Sequence, residues 1–286
     1  MLETVDLKRA LSRSDYKQRM GTLQERLRAL QYALKDAELA TIVLFEGWDA
    51  SGKSSMIQRL AERLDPRAFR AWPGAPPSEL ELRYHWLWRY QLRTPEDGHV
   101  AIFDHSWYGR VLVERVEKLV KKKVWQRSYE QINEFERWLA DDGQVLVKFW
   151  MHISKKEQRR RLQEMEQDAF QRWKVSAEDW RRNRRYDDWA VAVESMLAKT
   201  DTPHAPWTLV EAEDFRWARV RVFETLVRAM EAALKRRQEA PAAVSRSQLA
   251  QKTTKSERDR RAKDDLQRVR ETAKEAGLPL ESAEGS

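Results

Sequence analysis

The chain has 286 residues, of which 41% are hydrophobic and 35% charged, so it can bury a sizeable core beneath a strongly ionic surface. It contains no cysteine and no apolar run of the roughly 18–20 residues that span a bilayer, which excludes disulfides, cysteine-based zinc sites, thiol catalysis and a membrane-spanning helix. The formal net charge of +8 favours a polyanionic partner, and charge alone does not distinguish nucleic acid, a membrane surface and a phosphate polymer.

The N-terminal region, residues 1–38, is predicted to be a helical extension. Leu23, Leu27, Leu30 and Leu34 recur at helical spacing and form one apolar stripe. Packing of this stripe against the core explains it better than a coiled coil, which needs more heptads. The first residues lack the charged-then-apolar pattern of a signal peptide, so we expect a cytoplasmic protein without membrane contact.

A phosphate-binding loop is predicted immediately after the first strand. Residues 41–45 are apolar and largely β-branched, as in a buried parallel strand, and residues 47–54 then fit the pattern G-x-x-x-x-G-K-[ST]. A helical pattern follows, which is the context that this motif requires. Backbone N–H groups, the helix N-terminus and the Lys53 ammonium are then expected to converge on a phosphate. We assign phosphate binding in this loop to Gly47, Ala50, Ser51, Gly52, Ser54 and Ser55.

A catalytic acid is predicted at the end of the next apolar strand. Residues 65–77 hold four of the nine prolines and are predicted to be loop, and a capping box opens a helix over residues 78–90. Residues 99–104 then form a short strand that ends in Asp104. An acid at this end of a strand beside a phosphate loop can hold a magnesium ion, and capping of the next helix is the alternative role.

The second half of the chain is predicted to add a helix at residues 128–140, strands at 145–153 and 207–212, and a final amphipathic helix at 215–234. These elements complete a core that extends from residue 39 to residue 234. Residues 235–286 are polar and basic, with few large apolar groups. We therefore expect a tail that is mobile, or helical and packed on another subunit.

A strongly basic segment at about residues 154–190, the lid segment, is predicted to be a helical lid. In nucleotide kinases the segment after the third strand closes over the phosphates with basic residues. A run of charge is more often a solvated face, and that alternative stays open. The lid cations that we assign to phosphate binding are Arg160, Arg161, Lys174 and Arg185.

Four stretches together resemble the polyphosphate kinase 2 family over about residues 20–232. They are residues 45–53, 103–116, 173–176 and 200–207. The resemblance implies an α/β protein with a three-layer P-loop kinase fold, in which helices flank a parallel sheet as in thymidylate kinase, and a helical lid. It also implies transfer of a terminal phosphoryl group between inorganic polyphosphate and a nucleotide, with Mg²⁺ as the cofactor.

By matching position, the resemblance implies catalytic roles for Asp49, Lys53 and Asp104, with the two carboxylates organising the magnesium ion. This agrees with the chemistry of phosphoryl transfer, which needs alignment and neutralisation of clustered negative charge more than covalent work by the protein. The cations implied as phosphate contacts are Arg110, which we count as catalytic, Arg115 and Lys174.

The sequence departs from the family pattern at three places in the core. His105 stands where the family usually has Arg, residues 54–55 are Ser-Ser in place of Gly-Gly, and residues 213–215 are Glu-Asp-Phe in place of Asn-Asp-Lys. None of these changes removes a catalytic residue, so we expect an active enzyme. Residues 106–110 and 178–181 look most like the branch that phosphorylates AMP, and a diphosphate-using relative is the close alternative.

The expected partners are inorganic polyphosphate and AMP or ADP, with other purine nucleotides as further candidates and a second copy of the chain in a dimer or tetramer. An ATP-dependent nucleoside monophosphate kinase is the nearest alternative function. A basic nucleic-acid-binding protein on the same scaffold is a weaker one. Its stacking surface needs exposed aromatics, whereas the 13 tryptophans fall mostly in predicted elements and family motifs, where core packing explains them.

Overall fold

The structure, a computed structural model, describes residues 1–239 and five isolated residues beyond them, Lys255, Arg260, Lys263, Asp264 and Gln267. The chain divides into two compact units, Met1–Gln238 and Glu239–Ser286. Most of the predicted tail therefore lies outside the described residues. Within the described part of the chain, no helix is both long enough and apolar enough to cross a bilayer.

The first unit contains a five-stranded sheet in which every strand pair is parallel, in the order β2-β3-β1-β4-β5. β1 and β4 are buried along nearly their whole length, because a parallel sheet covered on both faces leaves no strand face in water. The strands are β1 (Thr41–Gly47), β2 (Phe69–Pro73), β3 (Val100–Asp104), β4 (Val145–His152) and β5 (Trp207–Glu211).

Helices connect these strands and flank the sheet, which confirms the predicted α/β fold. The lid segment contains α6, α7 and the start of α8. In the described range the helices are α1 (Arg13–Asp36), α2 (Lys53–Ala61), α3 (Trp88–Gln91), α4 (Val113–Val116), α5 (Lys122–Asp141), α6 (Lys155–Gln167), α7 (Ala177–Arg184), α8 (Tyr186–Thr200) and α9 (Phe215–Glu239).

Strand pairing brings the two predicted catalytic loops together. β1 lies between β3 and β4, and Phe45 near its end is opposite Asp104 on one side and Phe149 on the other. The carboxyl ends of β1 and β3 are therefore neighbours, and open α/β sheets bind their ligands at this end of the strands. The four strands predicted from the sequence are confirmed as β1, β3, β4 and β5.

Residues 65–77 contain a strand, so our prediction of loop throughout this region is wrong. β2 pairs with β3 from Phe69 opposite Val100 to Pro73 opposite Asp104. It forms an edge of the sheet, where a proline at the strand end removes no bond from a central ladder. The density of prolines therefore gave a misleading signal, because pairing with β3 decides the structure here.

The predicted capping box forms, but the predicted continuous helix over residues 78–90 is wrong. The Ser78 N–H donates to the Glu81 carboxylate at 2.8 Å, and the Glu81 N–H donates to the Ser78 hydroxyl at 3.3 Å. Only a 3₁₀ turn follows, because Tyr84 adopts an extended backbone and ends it. The chain becomes helical again at α3.

The helix α1 packs within the same compact unit as the sheet. Three leucines of its predicted stripe are buried and the fourth packs against the core, which confirms the stripe. Arg26 of α1 also pairs with Glu231 of α9 at 2.7 Å. The predicted boundary at residue 38 therefore separates elements of one unit, and the predicted domain limits as a whole stay a prediction.

Candidate active site

The phosphate loop, residues 47–54, requires glycine at its first position. Gly47 has a φ of 152°, and a Cβ built there lies only 2.6 Å from the Met151 carbonyl oxygen of β4. Gly52 has a φ of 96°, and Ala50 also adopts a left-handed conformation with a φ of 58°. These backbone angles curl the loop tightly between β1 and α2.

The loop presents backbone donors that the protein itself does not use. The N–H groups of Gly52, Lys53 and Ser54 have no protein acceptor in the described part of the chain. Free N–H groups at a helix N-terminus are a binding arrangement for phosphate. The Lys53 ammonium donates to the carbonyl oxygens of Gly47 and Trp48, both at 2.9 Å, so it lies against the loop.

Asp104 and Ser54 form a pair at the mouth of the loop. The Ser54 hydroxyl donates to Oδ2 of Asp104 at 3.2 Å, while the buried Oδ1 of Asp104 has no partner among the described residues. A loop serine with a strand aspartate is the donor set that holds Mg²⁺ in P-loop enzymes, so these residues fit the ion. Groups of three or more His, Cys, Asp or Glu that could hold a metal are absent from the described residues.

A buried glutamate ties the loop after β3 to the end of β1. The Glu46 carboxylate accepts hydrogen bonds from the Ser106 N–H and hydroxyl, both at 2.8 Å, and His105 Nδ1 lies 3.4 Å from its other oxygen. Burial alone raises the pKa of Glu46, but the bonds from His105 and Ser106 and the charge of His105 outweigh it and hold this pKa below its usual value. The carboxylate therefore remains charged and keeps the two loops together.

A second buried network supports the residues that follow. The Lys148 ammonium, fully buried on β4, donates to the Glu136 carboxylate at 2.7 Å, to the Tyr108 hydroxyl at 2.8 Å and to the Thr200 carbonyl at 2.8 Å. The Trp107 indole N–H donates to the same carboxylate at 3.0 Å. This network anchors the 3₁₀ turn that ends at residue 110, and it was not predicted from the sequence.

The lid segment already contacts the phosphate loop. Arg182 Nη1 of α7 lies 3.4 Å from Oδ1 of Asp49, and the Gln158 amide of α6 donates to the Asp49 carbonyl at 3.3 Å. Asn183 in turn donates to the Gln158 side chain at 2.8 Å. Arg182 is a site residue that could not be predicted, because nothing in the sequence separates it from its basic neighbours.

An aromatic stack joins the start of α8 to the loop. The Tyr186 and Trp48 rings are stacked with centroids 3.9 Å apart, and the Tyr186 hydroxyl donates to the Ile153 carbonyl at 2.8 Å. The Trp48 indole N–H donates to His152 Nδ1 at 2.9 Å. Burial lowers the pKa of His152 to about 4, so the imidazole is neutral and can accept this bond.

A cavity of about 600 Å³, the central cavity, opens beside the phosphate loop. Its volume lies within the range of small-molecule sites, and it combines charged groups near the loop with apolar groups elsewhere. Its charged lining includes Asp49, His105, Arg110, Glu114 and Arg182, and its apolar lining includes Trp72, Leu82, Leu119, Trp150 and Trp189.

Three of the predicted phosphate-binding arginines, two of the core and one of the lid segment, lie at two cavities. Arg110 lines the central cavity and pairs with Glu114 at 2.6 Å. Arg115 donates to the Tyr129 hydroxyl at 2.8 Å, and Arg185 donates to a backbone carbonyl of α4 at 3.2 Å. The latter two line a second, more open cavity of about 430 Å³, the side cavity, whose cations are Arg115, Lys118, Lys122 and Arg185.

The remaining predicted lid cations differ in exposure. Arg160 and Lys174 are exposed and line neither cavity, and Arg160 pairs with Glu157 and Glu164 on its own helix. Arg161 is buried, and its guanidinium is engaged by protein acceptors. Four of its five N–H donors are used in this way, which disfavours direct contact with a polymer, and the assignment of Arg161 to phosphate binding stays a prediction.

A parallel sheet whose central strand leads into a phosphate loop, with an aspartate at the end of the neighbouring strand, defines a P-loop kinase fold. The sequence model of the family described as Polyphosphate kinase 2 (PPK2) matches residues 10–238, and the chain therefore belongs to this family. The prediction of the family from four short stretches is confirmed.

Known proteins with similar sequences and structures agree with this family. A polyphosphate:AMP phosphotransferase from Pseudomonas syringae pv. tomato is 42% identical over 82% of this chain and 47% of its own length. An AMP/ADP-polyphosphate phosphotransferase from Meiothermus ruber is 37% identical over 74% of this chain and 80% of its own. The crystal structure of polyphosphate kinase 2 from Arthrobacter aurescens matches with a TM-score of 0.78 and 29% identity, over 81% of this chain and 85% of that one.

The chain spans about half the length of the polyphosphate:AMP phosphotransferases that it matches.

Proposed function

We propose that the protein transfers the terminal phosphoryl group of inorganic polyphosphate to AMP, with ADP as a second acceptor. One observation carries the proposal: the two loops that hold the free N–H groups of residues 52–54 and the Asp104–Ser54 pair also line the central cavity, through Gly47, Asp49 and His105. The loop offers a place for the donor phosphates, and the cavity offers one for a nucleotide. The names of the relatives support the same pair of substrates.

The chemistry needs no covalent intermediate with the protein. A phosphate oxygen of AMP attacks the terminal phosphorus of the polymer, and the bond from that phosphorus to its bridging oxygen breaks. The bridging oxygen keeps the electron pair, so the polymer leaves one phosphate shorter. The protein's task is to align the two anions and to offset the charge that spreads over the transferred group.

The residues divide this task between donor and acceptor. The N–H groups of the phosphate loop and the Lys53 ammonium hold the donor phosphates, while Arg110 holds the acceptor phosphate from the central cavity. Asp104, with Ser54 and Asp49, is proposed to hold Mg²⁺, which supplies charge neutralisation on the phosphate oxygens. Closure of the lid segment through Arg182 is then expected to exclude water from the reacting groups.

An assay with purified protein tests this proposal. Polyphosphate and Mg²⁺ are incubated with AMP and, separately, with ADP, and the nucleotides are resolved by chromatography. We expect ADP from AMP, and none from a Lys53→Met control. Absence of any conversion contradicts the proposal, and conversion with ATP as the sole donor identifies an ATP-dependent nucleoside monophosphate kinase in its place.

The structure gives little support to nucleic-acid binding. All thirteen tryptophans lie within residues 1–239, and Trp138 and Trp173 are the two that are exposed there. A surface that stacks successive bases needs several exposed rings along one groove. The other eleven are buried or half-buried, which disfavours such a surface.

A further inference from the structure

Arg161 of α6 is a buried cation that joins its own helix to two other segments of the chain. Its side chain is only 5% exposed. Nη1 donates to the Ala50 carbonyl of the phosphate loop at 3.1 Å, and Nη2 donates to the carbonyls of Ala212 and Glu213 after β5 at 2.7 and 2.9 Å. Nε donates to the Glu157 carboxylate at 2.6 Å. A buried charge is tolerated when its donors are satisfied in this way.

The aromatic ring of Phe215 covers the same guanidinium. The Arg161 Cζ atom lies 4.2 Å from the centre of this ring, the geometry of a cation–π contact. The ring also lies against the phosphate loop, because a Cβ built on Gly52 comes within 2.8 Å of it. Phe215 therefore touches the guanidinium and the loop backbone at once, from the first turn of α9.

The carbonyl that Arg161 holds belongs to the least relaxed residue of the loop. Ala50 has a φ of 58°, and a residue with a Cβ loses about 1–2 kcal/mol in that region relative to ordinary backbone. The conformation persists only if its surroundings hold it. The hydrogen bond from Arg161 and the Phe215 ring are two such restraints, one on each side of residue 51.

We propose that Arg161, braced by Phe215, is a positioning residue for the phosphate loop. By fixing the Ala50 carbonyl, it keeps the N–H groups of Gly52, Lys53 and Ser54 directed at the donor phosphate without touching that phosphate itself. The inference rests on the proposed function for the identity of the donor. This role also explains why Phe215 stands where the family usually has lysine. A lysine here places an ammonium next to the buried guanidinium, and the aromatic ring avoids that repulsion.

The test compares Arg161→Lys with the wild-type enzyme. Lysine keeps the charge, but a single ammonium cannot reach acceptors on three segments as the planar guanidinium does. We expect kcat to fall and the KM for polyphosphate to rise, by about 10–100-fold together in kcat/KM. The KM for AMP is expected to change less than about 2-fold, because the central cavity is unaltered. Arg159→Lys, a neighbouring exposed arginine on the same helix, is the matched control and is expected to match the wild type.

A different result is expected if Arg161 has a purely structural role. Its replacement then lowers the melting temperature and the active fraction, and leaves both KM values of the folded enzyme unchanged. That result, or wild-type kinetics for Arg161→Lys, overturns the inference. If Arg161→Lys does not fold, Phe215→Leu replaces it. Leucine keeps an apolar contact with the loop but removes the ring, and we expect a smaller shift confined to polyphosphate.

A binding measurement separates this inference from the proposed function. Tripolyphosphate is titrated into the wild type and into Arg161→Lys by calorimetry, without nucleotide. Weaker binding to the variant supports the positioning role even if the wild type does not phosphorylate AMP, in which case only the proposed function fails. Equal binding to both proteins, or binding to neither, contradicts the positioning role.

Discussion

Asp104 holds its two carboxylate oxygens in different settings. Oδ2 accepts a bond from Ser54, whereas Oδ1 is buried without a partner among the described residues. A buried acceptor without a donor costs on the order of 1–3 kcal/mol, so a cation or a donor at this oxygen stabilises the site. We therefore expect the charge of Asp104 to be needed for binding of Mg²⁺.

Asp104→Asn is expected to lower turnover by about 10²-fold or more and to leave the fold intact, because the amide keeps the shape but loses the charge. The measurement is kcat across a magnesium titration, with circular dichroism as the control for folding. A near-normal rate at every magnesium concentration shows that the metal assignment at Asp104 is wrong.

His152 carries a prediction about pH. Its pKa is lowered by burial to about 4, against the favourable charges of Glu213 and Glu194, while the unfolded value is about 6.5. The unfolded chain therefore binds more protons between these values, and the free energy of unfolding falls as the pH drops from 6.5 to 4. The difference corresponds to about 3 kcal/mol at most.

His152→Asn is expected to flatten this dependence, since an amide oxygen can still accept the Trp48 bond but does not titrate. Urea unfolding at pH 7 and pH 5 measures it, and the wild type is expected to lose more stability between them than the variant. Equal losses rule out His152 as the titrating group.

At the scale of elements, contacts between residues far apart in the chain determine the features that could not be predicted from the sequence. The phosphate loop and Asp104 were predictable, because each follows an apolar strand at a fixed spacing. β2 was not, because its pairing with β3 lies outside its own residues. Arg161 and Arg182 have the same local sequence signal, yet the fold buries the first and directs the second at Asp49.

The ion pair between Glu136 of α5 and Lys148 of β4 gives an element-scale prediction. Replacement of one partner leaves an unpaired buried charge, so Glu136→Gln or Lys148→Met is expected to cost about 3–5 kcal/mol of unfolding free energy. The double variant is expected to regain part of that loss. Urea unfolding of all four proteins completes the cycle, and additive losses argue against coupling.

The exposed lid cations give a prediction about the donor. Replacing both Arg160 and Lys174 with Ala is expected to raise the KM for long polyphosphate well above any effect on AMP, and raised salt should deepen the defect. Steady-state kinetics with each substrate varied at two salt concentrations measures this. Unchanged constants indicate that these residues are a solvated face, in keeping with the ion pairs of Arg160 on its own helix.

For the whole molecule, every residue of the proposed site belongs to the unit Met1–Gln238. A chain shortened to residues 1–239 is therefore expected to keep kcat within about 3-fold of the full chain, because it keeps every residue that we assign to the site. The same polyphosphate assay, run beside the full chain, measures this. A collapse of activity in a folded short chain places a needed residue beyond Glu239. The expected homo-oligomer and cytoplasmic location stay predictions, the former measurable by light scattering on both chains.

The central position of β1 has a consequence for folding of the protein during translation. β1 ends at residue 47, but its partners β3 and β4 begin only at residues 100 and 145. On the ribosome, one of the most apolar strands in the chain therefore emerges with both edges unpaired until β3 has been translated, and with one edge still unpaired until β4 follows. Strand edges of this kind promote aggregation. Translation pauses before residue 145 are therefore expected to lower the soluble yield more than pauses after residue 152.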